Sequence, residues 1–375
     1  MKIGIDISQI VYGTGVSVYT KNLVKSLLKI NNEDEFLLFG GSLRQREALK
    51  DFISSLSSFN NVTGRVFFIP PKLADILWNK LHILPIDSLL GKVDVFHSSD
   101  WTQPPSNSAK VTTIHDFGFI KYPSTAHPRI ASTMKGRFEW VKKDVDLIIA
   151  ISKATKNDIV DILGISPKKV KVVYEALPKD IKKVQNNKLI ADVKKKYKIK
   201  NDFLLSVATL EPRKNLKRVI LAFNEVKKII PDMQLVLAGK LGWDQDIKKM
   251  MGKRPKDIIF TGFIDREHEL SSLYSSASCF VFPSLYEGFG LPILEAMVCG
   301  CPVVTSNISS MPEVAGDAAV LVEPLEVESI SHGIVKAIKE KDALVKKGFE
   351  QIDKFSWEKT AKETLRVYKQ AVKNK

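Results

Sequence analysis

The run Pro283-Ser284-Leu285-Tyr286-Glu287-Gly288-Phe289-Gly290-Leu291-Pro292-Ile293-Leu294-Glu295-Ala296 sets two carboxylates around two glycines and a proline. It follows the apolar stretch Cys279–Phe282 and opens a helical pattern. Pro292 suits a first helical turn, where its missing N–H would have no partner. Gly288 and Gly290 let the backbone approach a ligand closely. Free N–H groups at a helix start, with the positive end of its dipole, bind anions, and a diphosphate is a natural occupant. Carboxylates accept hydrogen bonds from hydroxyls, so Glu287 and Glu295 suit a sugar and a ribose on either side. The pattern alone is equally that of a glycine turn with two solvated glutamates.

Three other runs carry polar chemistry. Ala208-Thr209-Leu210-Glu211-Pro212-Arg213-Lys214-Asn215 places two adjacent cations after an apolar strand. Arg offers forked donors and Lys a point charge, and both can neutralise a diphosphate. The dipole of a helix start disfavours cations, which argues for an anionic ligand over mere surface charge. Val111–Asp116 is a strand ending on His115; Asp116 either orients the imidazole or caps the next loop, and a structurally satisfied histidine is the alternative. Tyr12-Gly13-Thr14-Gly15-Val16-Ser17-Val18 begins like a dinucleotide fingerprint but puts Val18 at the third glycine. Phe39 is followed by Gly40 instead of an acidic residue, which weakens an oxidoreductase reading. A tight strand-to-helix turn remains. Cys299-Gly300-Cys301 is too closely spaced for a zinc knuckle and reads as buried small hydrophobes.

These residues need a frame. Strands are expected at 2–7, 36–39, 65–69, 93–97, 111–114, 147–150 and 170–173, then at 203–208, 234–238, 258–261, 279–282, 303–305 and 320–322. They are short and rich in Val and Ile, as parallel strands covered by helices are. Helices fit 16–30, 153–163 (Ser152 as cap, Gly164 as stop), 216–229, 265–275, 291–299, 326–339 and 356–372. This double alternation predicts an α/β protein of two Rossmann-like, doubly wound parallel-sheet domains facing a central cleft. Residues 1–177 form an N-terminal domain and 201–355 a C-terminal one. A lysine-rich connection, 178–200, joins them, and a C-terminal helix, 356–375, packs back on the first.

The stretch EGFGLPILEAMVCGCPVV resembles glycosyltransferase family four, of the GT-B fold, whose signature is two glutamates with seven residues between them, in E-G-F-G-L-P-x-L-E-A. The resemblance covers essentially the whole chain. It implies an acceptor-side first domain, a nucleotide-sugar-binding second domain and a retaining hexosyltransferase with no cofactor beyond its donor substrate, a nucleotide diphosphate sugar; no acidic pair stands out as a divalent-metal site, and Lys214 and the helix start can take a metal's electrostatic role, so activity without metal is expected. It implies contact of Glu287 with the transferred sugar and of Glu295 with the ribose. The backbone of Gly288, Phe289, Gly290 and Leu291 is implied at the phosphates. Lys214 and Arg213 are implied at the leaving diphosphate. Many relatives carry an arginine where this chain has Ala208, so that role falls to Arg213. His115 is implied near donor sugar and acceptor, Gly15 in a glycine-rich loop facing them, and the strand end at Phe263 and Ile264 around the base. Likeness to mannosyltransferases suggests mannose from a guanine nucleotide, passed to a glycan or lipid-linked acceptor in polysaccharide biosynthesis. An epimerase or glycan phosphorylase on the same fold is the enzymatic alternative.

With 57 Lys+Arg against 42 Asp+Glu, the net charge of +15 favours an anionic partner or reflects a lysine-rich surface. A basic nucleic-acid-binding protein is the non-enzymatic alternative, but no recognition motif accompanies the charge, so nucleic acid is not expected as a partner. Arg129, Lys135, Arg137, Lys142 and Lys143 lie among apolar residues in Tyr122–Lys143, a candidate peripheral contact with an acidic inner-membrane face. The absence of a long apolar run or signal peptide, and three cysteines, fit the cytoplasm.

Overall fold

The apolar runs become parallel strands because both their faces are covered. The computed structural model describes residues 1–125, 128–178, 180–240, 242–252, 255–264 and 266–375. The chain divides into two units, Met1–Ala176 with Ser356–Lys375, and Leu177–Phe355.

In the first unit, strands β1 (Lys2–Asp6), β2 (Glu35–Gly41), β3 (Val62–Phe67), β4 (Val95–Ser98), β5 (Ala109–Ile114), β6 (Leu147–Ala150) and β7 (Val170–Val172) form one sheet. Their order is β3-β2-β1-β4-β5-β6-β7 and every pairing is parallel. The order reverses between β1 and β4, which makes their C-terminal ends the switch point where such sheets hold ligands. The helix Gly15–Ile30 buries Tyr19, Leu23, Val24, Leu27 and Leu28 on one sheet face. The helix Trp357–Asn374 buries Trp357, Ala361, Leu365, Tyr368 and Ala371 in the same core. Each such large apolar side chain contributes about 1.5–3 kcal/mol on burial. Ser152 Oγ accepts from Thr155 N, and Gly164 at φ +66° closes the helix Lys153–Leu163.

Two expectations need correction here. The strand placed at 65–69 runs Val62–Phe67. Pairing with β2 fixes it from Phe36↔Val62 to Gly41↔Phe67, and Gly64 makes room for Ile53, whose Cδ1 would sit 2.5 Å from an added Cβ. Arg137 is not part of a basic surface. On the helix Pro128–Asp144 it is fully buried, donating to Thr112 Oγ1 (2.7 Å) and Thr113 O (3.0 Å). The exposed cations of this helix are Arg129, Lys135, Lys142 and Lys143.

The second unit repeats the design. Strands β8 (Phe203–Val207), β9 (Gln234–Ala238), β10 (Ile258–Gly262), β11 (Cys279–Phe282), β12 (Val303–Ser306) and β13 (Ala319–Val322) lie in the order β10-β9-β8-β11-β12-β13. The reversal falls between β8 and β11. Helices Leu216–Lys227, Leu291–Val298 and Val327–Lys339 cover the sheet. A further helix, Lys341–Ile352, lacks a counterpart in the sequence reading; its Gly348 lies over Met297. The helix expected at 265–275 is a π turn, Arg266–Leu270, followed by Ser271–Ser276, and Asp265 lies outside the described residues.

Residues 178–200 count with this unit. Ile181 and Val193 are buried, and Lys182 N and Val184 N donate to Ser271 Oγ and Ser275 Oγ. Asn186 caps the helix Asn187–Lys196. Among the described residues no helix is long and apolar enough to cross a membrane.

Candidate active site

In the second unit the two loops at the switch point meet. After β8 the chain makes a 3-10 turn, Pro212–Lys214, and Asn215 at φ +60° turns it into the next helix. Asn215 Nδ2 donates to Pro283 O (2.9 Å) and Pro324 O (2.6 Å), and Leu285 N donates to Arg213 O (2.9 Å). The loop after β8 is thereby tied to the loop after β11. Arg213 Nη1 donates to Tyr286 O (2.5 Å) and Glu287 Oε2 (3.2 Å), and Nη2 to Glu211 Oε1 (2.8 Å). Lys214 Nζ donates to Glu287 Oε1 at 2.7 Å.

Two cations thus clamp one carboxylate, with Glu211 as counter-charge. Burial alone would push the Glu287 carboxyl up, but Lys214 and then Arg213 outweigh it and hold the group below its ordinary range. Glu287 is ionised at neutral pH as a consequence. The side chains of Arg213 and Lys214 stay 14% exposed, so a ligand can reach them.

The glycine loop is pinned from one side. Ser309 Oγ and Ser310 Oγ donate to Glu287 O (2.7 and 2.9 Å), and Ser310 Oγ also donates to Phe289 O (2.7 Å). In a trans peptide the following N–H points opposite to the carbonyl. The N–H groups of Gly288 and Gly290 are therefore turned away from the serines. Gly290, at φ +107°, precedes the helix that starts at Leu291. Phe289 is buried edge-on against Phe355 (5.6 Å), which keeps its ring from a ligand.

Glu295 lies apart from this cluster. It is buried and accepts from the Tyr274 hydroxyl at 3.1 Å. Phe263 and Ile264 follow β10, an edge strand two places from β8. Phe263 is 70% exposed with Lys240 Nζ 4.7 Å from its ring centroid, whereas Ile264 is buried.

The first unit holds the other expected residues. His115 follows β5, and its Nδ1–H donates to Glu175 Oε1 at 3.0 Å. Burial would lower its pKa, but the bond to Glu175 and the charges of Asp100, Glu175 and Asp116 prevail and raise it. Asp116 does not orient the ring; its Oδ1 accepts from Gly118 N (2.9 Å) and so caps the following turn. Tyr19 packs edge-on to the imidazole at 4.8 Å. His97 is a contrast: buried between the Tyr368 hydroxyl (2.6 Å) and Thr113 Oγ1 (2.9 Å), it is pushed down to about 3 and stays neutral. Gly15 is the first residue of its helix, and an added Cβ would meet nothing within 4 Å.

The raised His115 pKa gives a test. Glu175→Gln should lower it, because the strongest stabiliser of the imidazolium is gone. The stability that the pair contributes is full below the ordinary histidine pKa of about 6.5 and is lost as pH rises through the folded value. NMR titration of the His115 ring should show the drop; an unchanged midpoint would mean that Asp100 and Asp116 hold the charge.

Sequence reasoning missed Glu175, Glu211, Tyr274, Ser309 and Ser310. All but Glu211 come from segments distant along the chain, and only Glu211, inside the quoted LEPRKN run, carried a local signal.

Residues 190–351 match the family described as Glycosyl transferases group 1, and residues 13–179 match Glycosyltransferase Family 4. O-antigen chain mannosyltransferase B of Escherichia coli is 28% identical over 384 residues, covering 95% of this chain and 96% of that one. The serotype-specific mannosyltransferase WbdA of Escherichia coli is 34% identical over 229 residues, 58% of this chain and 28% of WbdA. The crystal structure of Anabaena Alr3699/HepE in complex with UDP and glucose superposes with a TM-score of 0.69 at 17% identity, covering 98% of each chain. The chain belongs to glycosyltransferase family four, the group 1 glycosyl transferases, and has their GT-B fold of two Rossmann-like domains. It is a glycosyltransferase.

Proposed function

We propose that the protein transfers mannose from a guanosine diphosphate sugar to a hydroxyl of a glycan or glycolipid acceptor, with retention at the anomeric carbon and without a metal ion. The observation that carries this reading is the clamp of Arg213 and Lys214 on Glu287 beside the Gly288–Gly290 loop. In the reaction the bond from the anomeric carbon to the diphosphate breaks, the acceptor oxygen takes the diphosphate's place, and the acceptor's hydroxyl proton passes to the departing diphosphate. Negative charge grows on the diphosphate and positive charge on the sugar.

Arg213, Lys214 and the turned-out N–H groups answer the first charge, and the ionised Glu287 answers the second while accepting a sugar hydroxyl. Such preorganised charges are often the largest catalytic contribution. Two cations and a helix start supply the electrostatics that a divalent ion would otherwise provide. Glu295 is assigned to the ribose and the exposed Phe263 ring to the base, where its face can stack. Mannose is favoured by the names of the two curated relatives.

The test is transfer from GDP-α-mannose by the full chain, with anomeric analysis of the product. An α-linked product, at a rate within twofold in EDTA, is expected. A β-linked product overturns retention, and loss of activity restored by magnesium overturns metal independence. Turnover with other nucleotide sugars alone overturns mannose and guanosine.

A further inference from the structure

We propose that Ser309 and Ser310, from the loop after β12, are positioning residues for the departing diphosphate: their hydroxyls set the tilt of the Glu287–Gly288 and Phe289–Gly290 peptides and so aim the N–H groups of both glycines at the phosphates. The inference rests on the glycosyl-transfer reading and adds to it two side chains that act through the backbone of others.

Four hydroxyls at the end of β12 serve carbonyls at the end of β11. Thr305 Oγ1 donates to Phe282 O (2.9 Å) and Ser306 Oγ to Ser284 O (2.6 Å). Ser309 Oγ donates to Glu287 O (2.7 Å) and accepts from Glu287 N (3.3 Å). Ser310 Oγ lies 2.9 Å from Glu287 O and 2.7 Å from Phe289 O. It carries a single proton; with Glu287 O already served by Ser309, that proton goes to Phe289 O. Strand pairing ends at Phe282↔Thr305, so the two later serines hold a stretch that the sheet no longer holds.

Three observations separate these serines from ordinary packing. Ser309 sits at φ +59°, a left-handed backbone that a side chain disfavours and that persists where the surroundings impose it. Ser310 stands at the start of the helix Met311–Ala315, yet its side chain does not cap that helix and turns to the glycine loop instead. Gly290 is buried, and among the described residues its N–H donates to no partner, whereas buried N–H groups are normally paired.

The loop's own chemistry requires such a hold. A glycine follows each held carbonyl, and glycine backbone turns more freely than any other, so these peptide planes need fixing from outside. In a trans peptide a carbonyl kept on the serine side sends the next N–H to the other side. N–H groups fixed in advance where negative charge develops stabilise it without reorganising during the reaction.

The test measures binding of GDP, UDP and guanosine to the full chain by saturation-transfer NMR, in the wild type, Ser309→Gly, Ser310→Ala and Ser306→Ala. Ser306 is the control: it is as buried as Ser310, but the N–H after its carbonyl, that of Leu285, donates to Arg213 O. Ser306→Ala should melt lower, as Ser310→Ala does, and keep diphosphate affinity within about twofold. Ser309→Gly relieves the positive φ and should melt at or above the wild type. It and Ser310→Ala should nevertheless lose GDP affinity about fivefold or more and kcat at saturating donor about tenfold or more, with guanosine binding within about twofold. A purely structural role would not weaken binding in a variant that melts no lower, and Ser309→Gly decides alone if Ser310→Ala does not fold. Diphosphate affinity kept in Ser309→Gly, guanosine binding lost in parallel, an equal loss in Ser306→Ala, or no diphosphate bound by the wild type would overturn the assignment. The same loss seen with UDP and no GDP binding would keep the serines and overturn guanosine; serine-dependent GDP binding without transfer from GDP-mannose would keep them and overturn the proposed reaction.

Discussion

Glu287→Gln should cut turnover about 100-fold or more, a loss of ~2.7 kcal/mol of transition-state stabilisation, with nucleotide-sugar affinity within about threefold of wild type. The amide keeps the shape and part of the hydrogen bonding but not the charge. Arg213 and Lys214 lose a competitor for the diphosphate, so donor binding has no reason to weaken. What is lost is the anion beside the sugar as positive charge develops there. The variant also carries a pH signature. The folded Glu287 carboxyl is held below its ordinary range, so the stability it contributes is full above the unfolded carboxylate pKa of about 4.3 and vanishes as pH falls through the folded value. The melting difference between wild type and Glu287→Gln should be largest at neutral pH and shrink in acid. Calorimetric donor binding with kcat at saturating donor checks the main claim. Wild-type kcat in a variant that binds donor removes Glu287 from the chemistry.

Lys214→Ala should produce the opposite split. Both donor affinity and turnover fall, and kcat/KM drops about 100- to 1000-fold, or ~2.7–4 kcal/mol, the range seen when one preorganised donor to a developing anion is removed. Glu287 Oε1 loses its 2.7 Å partner, and its pKa rises because Lys214 is the first force holding it down. Arg213 does not compensate, since its two terminal nitrogens already serve Glu287, Glu211 and Tyr286 O. Stability should fall by about 1–3 kcal/mol, the cost of leaving a largely buried carboxylate with one partner fewer. GDP titration and kcat/KM on the same preparation decide. Unchanged GDP affinity would confine Lys214 to holding the loop.

Much of the frame could be read from the chain because its signals were local. Leu147–Ala150, Leu235–Ala238 and Cys279–Phe282 are unbroken apolar runs, and each lies in a strand, the second extended by Gln234. Ser152 and Gly164 bound their helix because a side-chain cap and a left-handed stop act within a few residues. Local signals misled at 65–69, where Phe68 and Ile69 extend an apolar run but cross-strand register and the Gly64–Ile53 contact end the strand at Phe67. The helix Lys341–Ile352 escaped because its apolar positions are few and meet Met297 only in three dimensions.

The site followed the same rule. The E-G-F-G-L-P run and the Arg213–Lys214 pair stand out as text. Their mutual clamp spans more than seventy positions, and Glu175 sits sixty from His115 in a stretch without pattern. Arg137 looked like a surface cation because charge is visible in sequence and burial is not.

The return of Trp357–Asn374 to the first unit bears on how the chain is made. The second unit is contiguous, and its last residue, Phe355, leaves the ribosome before the first unit has its closing helix. The domain encoded first is thus the last to be complete. Until that helix arrives, His97 lacks the Tyr368 hydroxyl and Tyr19 lacks the neighbouring indole of Trp357. A nascent first domain waits with part of its core open to water, the state in which chaperones find their clients.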